Sequence, residues 1–245
     1  TIPNPDSDKP TNRLLPPDIG FRGLPVYTAA DGTQALYVSG VSSKSIHKFA
    51  NPDTGVPAAP GARMMRTVDG VNFTPIQSPT SILVTGNYAS FRGMTVLNNC
   101  LYVIAGDLTG AGVVLGSCNP SDPDSWALVS PAGTQYFEIA TYNNALYATQ
   151  SGVDGFNLIK SDGSGFPNLQ FTTVIPLGGY RTLMPNQSAL SMKVFNGDLY
   201  VGGNGIHSFF GAEMYRVHPD DTWDLIEGMP RDTPVGYKAP LSGLG

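Results

Sequence analysis

Charge is scarce in this 245-residue chain: Asp, Glu, Lys and Arg make up 13% of it, about half the usual share. Only three glutamates occur, Glu138, Glu213 and Glu227, with three histidines, His47, His207 and His218. The net charge is −5 and the sequence pI about 5.0. That balance excludes the basic patch a nucleic-acid or anionic-membrane surface needs. No apolar run approaches the roughly 18 residues of a membrane span. There are two cysteines and no CxxC, and the histidines lack metal-ligand spacing, so no zinc or redox motif is present. GxSxG, a P-loop and a GxGxxG opening a helix are also missing. What is plentiful is glycine (29) and proline (21), beside a 41% hydrophobic fraction. Enough apolar mass to bury a core, punctuated this often, predicts a turn-rich all-β protein.

A Leu-Tyr pair recurs at Leu36-Tyr37, Leu101-Tyr102, Leu146-Tyr147 and Leu199-Tyr200, and an aromatic follows each, Phe73, Trp126, Phe171 and Trp223. Three of the four offsets agree within one residue. Two-residue turns, Asn98-Asn99, Asn143-Asn144 and Asn196-Gly197, precede the last three pairs, and such residues accept the positive φ of a type I′ hairpin. Each unit parses into four short strands, over 21–77, 90–130, 136–175 and 189–227. Four strands repeated at this length predict β-propeller blades; a sandwich of unrelated hairpins is the alternative. Residues 1–20, with five prolines, read as an extended arm, and 229–245 as a connector towards a further blade or partner. Four blades is the low end of the propeller range. A homo-oligomer, or a second polypeptide completing the propeller, is therefore expected, the chain being one part of a larger ring; a closed four-bladed ring is the alternative.

Length collects in the loops after strands two and four of each unit, so the face they share is the expected binding face. The starts of the innermost strands reach the same face, where Phe21-Arg22-Gly23 and Phe91-Arg92-Gly93 correspond. Arg22 and Arg92 at a channel mouth can hold a carboxylate, sulfate or phosphate, or pair with charges such as Glu138 in a channel that also receives Lys193. The insertion 42–61 adds His47 and Lys48, the loop after unit 3 adds Arg181, and the last long loop adds His207. Were the protein an enzyme, a hydrolase or lyase at the channel mouth, its acid or base would be Glu138, Asp107 or Asp154. No resident cofactor is expected. The acidic pairs Asp6/Asp8, Asp122/Asp124 and Asp220/Asp221 could take Ca²⁺ but lack a full ligand spacing, and solvated turns are the simpler reading.

Cys100 and Cys118 flank residue 109, the midpoint of a hairpin, at nine residues each, so they face one another across two antiparallel strands. That predicts a disulfide and with it an extracellular or periplasmic location. The sequons Asn72-Phe-Thr74 and Asn186-Gln-Ser188 agree with secretion.

The fourth unit, FNGDLYVGG…GAEMYRVHPDDTWDLI from Phe195 to Ile226, resembles the repeat of secreted bacterial β-propellers, FNGxLYVG…GxEIYR…W. Thr67-Val68-Asp69-Gly70 and Ser161-Asp162-Gly163 resemble degenerate Asp-box turns. The resemblance implies a propeller over about 20–228 and carries no activity with it. A sialidase's arginine triad and nucleophilic tyrosine with its glutamate cannot be assembled. The expected function is a secreted binding or assembly module that contacts a glycan, an anionic ligand or a partner subunit.

Overall fold

A computed structural model describes residues 17–43, 61–107, 112–131, 133–180, 185–204 and 211–228, with the strand backbone at 2–3 and 14–15. The chain is all-β and forms two compact units, residues 1–132 and 133–245. The expected binding residues His47, Lys48, Arg181 and His207 lie outside the described residues, as do Asp6, Asp8 and 229–245.

In the first unit, β1 (Ile2–Pro3) pairs with β2 (Leu14–Leu15) within the stretch expected to be an extended arm. Then come β3 (Asp18–Phe21), β4 (Val26–Thr28), β5 (Gln34–Ser42), β6 (Met64–Thr67) and β7 (Thr74–Pro75). β4, β5, β6 and β7 pair antiparallel in chain order as a first meander, while β3 pairs with the far end of β5. The single inner strand expected over 21–27 is thus interrupted: Pro25 has no N–H to give a ladder, and Gly23 is pressed against Met94 and Ser39. After a one-turn helix α1 (Ile82–Thr85), the second meander runs through β8 (Ser90–Leu97), β9 (Cys100–Gly106), β10 (Gly112–Ser117) and β11 (Ala127–Leu128).

The second unit holds two more four-stranded antiparallel meanders. The third is β12 (Tyr136–Tyr142), β13 (Ala145–Gln150), β14 (Asn157–Ser161) and β15 (Thr172–Ile175). The fourth is β16 (Ser188–Phe195), β17 (Asp198–Asn204), β18 (Met214–Val217) and β19 (Trp223–Glu227). The four strand sets fall within a few residues of those the repeat predicts.

The turn chemistry decides the register. Asn98, Asn99, Asn143, Asn144, Asn196 and Gly197 all have positive φ, between 45° and 84°, so the expected two-residue I′ turns form and lock Leu97 to Cys100, Tyr142 to Ala145 and Phe195 to Asp198. Six residues before the first residue of each turn the ladder slips by one, beside Arg92 (between Phe91 and Met94), at Phe137 and at Leu190. A β-bulge at a fixed place bends each inner strand alike and re-aims its side chains.

The same register carries β10 on to Cys118, which meets Cys100 in a disulfide with Cα atoms 3.9 Å apart. A disulfide fits an oxidising compartment, and among the described residues no helix is long and apolar enough to cross a membrane. Of the two sequons, Asn186 is fully buried and so is no glycosylation acceptor, whereas Asn72 is exposed.

Within each unit one meander docks on the next by the same contact. Tyr27 and Tyr37 share a core cluster with Leu101 and Val103; Tyr142 and Tyr147 share one with Leu199 and Val201. The Tyr27 hydroxyl donates to the carbonyl of Asn99, the second residue of the facing turn, at 3.0 Å, and that of Tyr142 to the corresponding carbonyl of Gly197 at 2.8 Å. A hydroxyl two residues after the repeated tyrosine adds a second tie. Ser39 Oγ accepts from Gly23 N–H and donates to the Arg92 carbonyl; Thr149 Oγ1 accepts from Glu138 N–H and donates to that of Ala189.

Candidate functional site

The arginine pair at the starts of the inner strands is brought together at its backbone. Ser39 on β5 bridges Gly23, next to Arg22, and Arg92 itself. The Arg22 side chain is exposed and that of Arg92 half-buried. Asp107 lies in the same unit and is exposed; Glu138, Asp154 and Lys193 belong to the other unit, Asp154 and Lys193 exposed and Glu138 half-buried. Glu138 accepts a hydrogen bond from the N–H of Ile139 at 3.0 Å.

A concavity lies elsewhere. A cleft of about 380 Å³ opens in the first unit between the first and second meanders. Tyr27, Ala35 and Tyr37 form its apolar floor, and Arg66 on β6 stands on one side. Asn98, Asn99, the Cys100–Cys118 disulfide, Asn119 and Ser121 form the other. These walls come from the turns after strands one and three, the end of the meanders opposite the one that loop length favours. Sequence could place each wall residue on its turn. It could not show that a five-residue connection, Ala29 to Thr33, stands away from the compact Asn98-Asn99 turn and leaves a gap between them.

The lining has a distinct chemistry. Tyr27 and Tyr37 meet edge to face, ring centroids 6.0 Å apart. Burial pushes both phenols above their usual range, and for Tyr37 the Arg66 guanidinium pulls part of the way back. Both therefore stay neutral at physiological pH and act as hydrogen-bonding rings. Arg66 Nε is buried without a hydrogen-bond partner. The described lining holds phenols, amides, hydroxyls and one guanidinium. Such a set can bind and orient a polar ligand through hydrogen bonds.

Several other charged groups are held by the fold. Asp69, in the first Asp-box-like turn, accepts from the N–H groups of Asn72 and Val71, which hold its carboxyl far below the carboxylate range. Asp162 caps the corresponding turn through Ser164 N–H, Asp122 accepts from Asp124 N–H, and Asp220 from Thr222 N–H. Asp124 accepts from Ser78 and Thr80, and Asp221 binds Tyr147 and Lys160. Among the described residues no three His, Cys, Asp or Glu side chains gather as a metal site requires.

Two polar clusters escaped the sequence reading because their members are far apart in the chain. Fully buried Glu213 accepts from the Tyr215 hydroxyl at 2.5 Å, and that hydroxyl accepts from Tyr180 N–H. On the fourth meander, His218 Nδ1 faces Asp198 at 3.1 Å and Nε2 faces Asp224 at 3.0 Å, while Arg216 bonds Asp224 at 2.6 Å. Carboxylates only accept, so the doubly protonated ring is the form that satisfies both contacts. The pKa of His218 is raised, chiefly by the hydrogen bond to Asp224 and then by Asp198, against the opposing effects of burial and, less, of Arg216. A raised folded-state pKa gives stability that is fully present below the unfolded value of about 6.5. That stability is lost as pH rises through the folded value. Thermal melts between about pH 6 and 9 should show wild type above His218→Gln at the acid end, with the gap closing as pH rises.

No protein-family model matches the chain, and no curated relative does. Solved structures resemble it at low identity. An exo-β-1,3-galactanase from Phanerochaete chrysosporium, solved with β-1,3-galactotriose, aligns with a TM-score of 0.50 and 8% identity. The alignment covers 94% of this chain and 53% of that one, so the chain spans about half the galactanase's length. A luciferin-regenerating enzyme aligns at 0.47 and 14% identity over 79% of this chain and 60% of that one. A chain of the nidogen/laminin complex aligns at 0.44 and 11% identity over 93% and 88%. At these identities the galactanase likeness concerns fold alone, and the other two carry no further weight.

Proposed function

We propose that this chain is a β-propeller-type binding module, each meander a blade, which takes a small glycan or carboxylate-bearing ligand in the cleft between its first two meanders. The observation that carries this reading is the lining: two neutral tyrosines beside a guanidinium and three asparagines, around a volume suited to a small ligand. Aromatic edges take the apolar faces of a sugar, amides take its hydroxyls, and Arg66 takes an anionic group. The disulfide in the wall fits a module that works outside the reducing cytoplasm. The galactanase's β-1,3-galactotriose is one natural probe, since a fold neighbour was solved with it.

Calorimetric titration with neutral and acidic oligosaccharides tests the reading. An acidic sugar should bind, and Arg66→Gln should weaken it about tenfold, or about 1.4 kcal/mol. The Arg22→Ala/Arg92→Ala double variant, at the opposite end of the meanders, should leave that affinity unchanged. Loss of binding in the double variant alone would move the site to the channel mouth; no binding of any sugar at millimolar concentration would overturn the glycan reading.

A further inference from the structure

The contact that joins meanders within each unit has two halves. One is an aromatic pair, Tyr27–Tyr37 in the first meander and Tyr142–Tyr147 in the third, with centroids 6.0 and 5.4 Å apart. The other is the Leu-x-Val face of the following meander, Leu101 and Val103 or Leu199 and Val201, buried to 0% exposure in each case. The fourth meander carries the aromatic half again. Phe195 holds the position of Tyr142, just before the turn, Tyr200 that of Tyr147, and their rings lie 6.3 Å apart. Yet Phe195 is 62% exposed. The first meander carries the other half again, in Leu36 and Val38. Val26 lies opposite Leu36 in the ladder, and Leu24 precedes it on the same face; they are 56% and 60% exposed. Among the described residues the chain thus leaves exposed the aromatic half on its last meander and, beside half-buried Leu36 and buried Val38, the aliphatic side chains Leu24 and Val26 on its first.

We propose that these two faces dock on each other between two copies of the chain, the Phe195–Tyr200 face of each copy on the Leu24–Val26–Leu36 face of its partner. This rests on the propeller reading above. A second copy is the occupant the observations favour because it supplies both missing halves at once: two reciprocal contacts close a two-fold assembly and leave no half unfilled. Two copies of four meanders make eight, within the 4 to 8 blades propellers use. Phe195 also lacks the hydroxyl that Tyr27 and Tyr142 donate to a compact turn. It can therefore sit on a meander whose first connection, Ala29 to Thr33, is not a two-residue turn.

Native mass measurement on the full chain across about 1 to 100 µM tests this. Wild type should appear at twice the chain mass of 25.9 kDa. Phe195→Asp and Val26→Asp, both at exposed positions and checked for folding by circular dichroism, should each appear at the chain mass. Mixed together they should recover a one-to-one dimer, since one intact pair of faces remains. A wild type that stays at the chain mass, through ring closure within one copy or further blades supplied otherwise, overturns the proposal, as does dimerisation that survives both substitutions. The blade reading is judged separately: Tyr27→Phe and Tyr142→Phe each remove a tie inside one unit and should lower the melting temperature whatever the association state. If neither does, the docking contact itself, and the blade reading with it, fails.

Discussion

Replacing both Cys100 and Cys118 with alanine should cost about 3 kcal/mol of stability, because the cross-link closes a loop of 18 residues and a loop of about that length restricts the unfolded chain by that amount. For a domain of this size that is a fall of roughly 6–12 °C in melting temperature. The loss should reach beyond the hairpin. Tyr27 donates to the Asn99 and Cys118 carbonyls, either side of the cross-link, so the first meander's seat on the second depends on it. The cleft wall includes the disulfide, so sugar binding should weaken in parallel. Melting with and without reductant, alongside the double variant, checks this; intact mass should rise by two hydrogens on reduction. Equal melting of oxidised and reduced protein would show that register alone holds the hairpin.

Phe156→Ala should be the most damaging single substitution in the second unit, costing about 3–5 kcal/mol. Phe156 is wholly buried, packs edge-on against Tyr215 with centroids 5.4 Å apart, and belongs to the cluster that joins the third and fourth meanders. Its removal leaves a cavity where those meanders meet and loosens Tyr215, whose hydroxyl holds Glu213. Chemical denaturation of the variant checks the magnitude. A loss below about 1 kcal/mol would mean that the site collapses freely and that the cluster is not the joint described above.

The repeat made the strands legible because it is written in local chemistry. Asparagine and glycine at three two-residue turns fix the register, and register in turn places Cys118 opposite Cys100. The bulges beside Arg92 and at Phe137 and Leu190 were not legible, since a one-residue slip leaves no mark in composition. The cleft was legible least. It depends on how far one connection stands from a turn in the next meander, and its residues, from Tyr27 to Ser121, carry no motif. Loop length pointed to the opposite end, where Arg22 and Arg92 are joined at the backbone through Ser39, and parts of the loops at that end, among them 44–60, 181–184 and 205–210, lie outside the described residues. His218 read as a lone histidine because its partners, Asp198 and Asp224, are brought to it by pairing across β17, β18 and β19.

On the proposed reading, this scaffold binds its ligand without turning it over. Incubation of the protein with acidic and neutral oligosaccharides, followed by equilibrium binding and mass analysis of the recovered sugar, tests it most directly. The account predicts saturable binding that Arg66→Gln weakens, with every oligosaccharide recovered at its starting mass. Shortened or dehydrated products, lost together with Glu138, Asp107 or Asp154, would contradict it and mark the protein as a hydrolase or lyase.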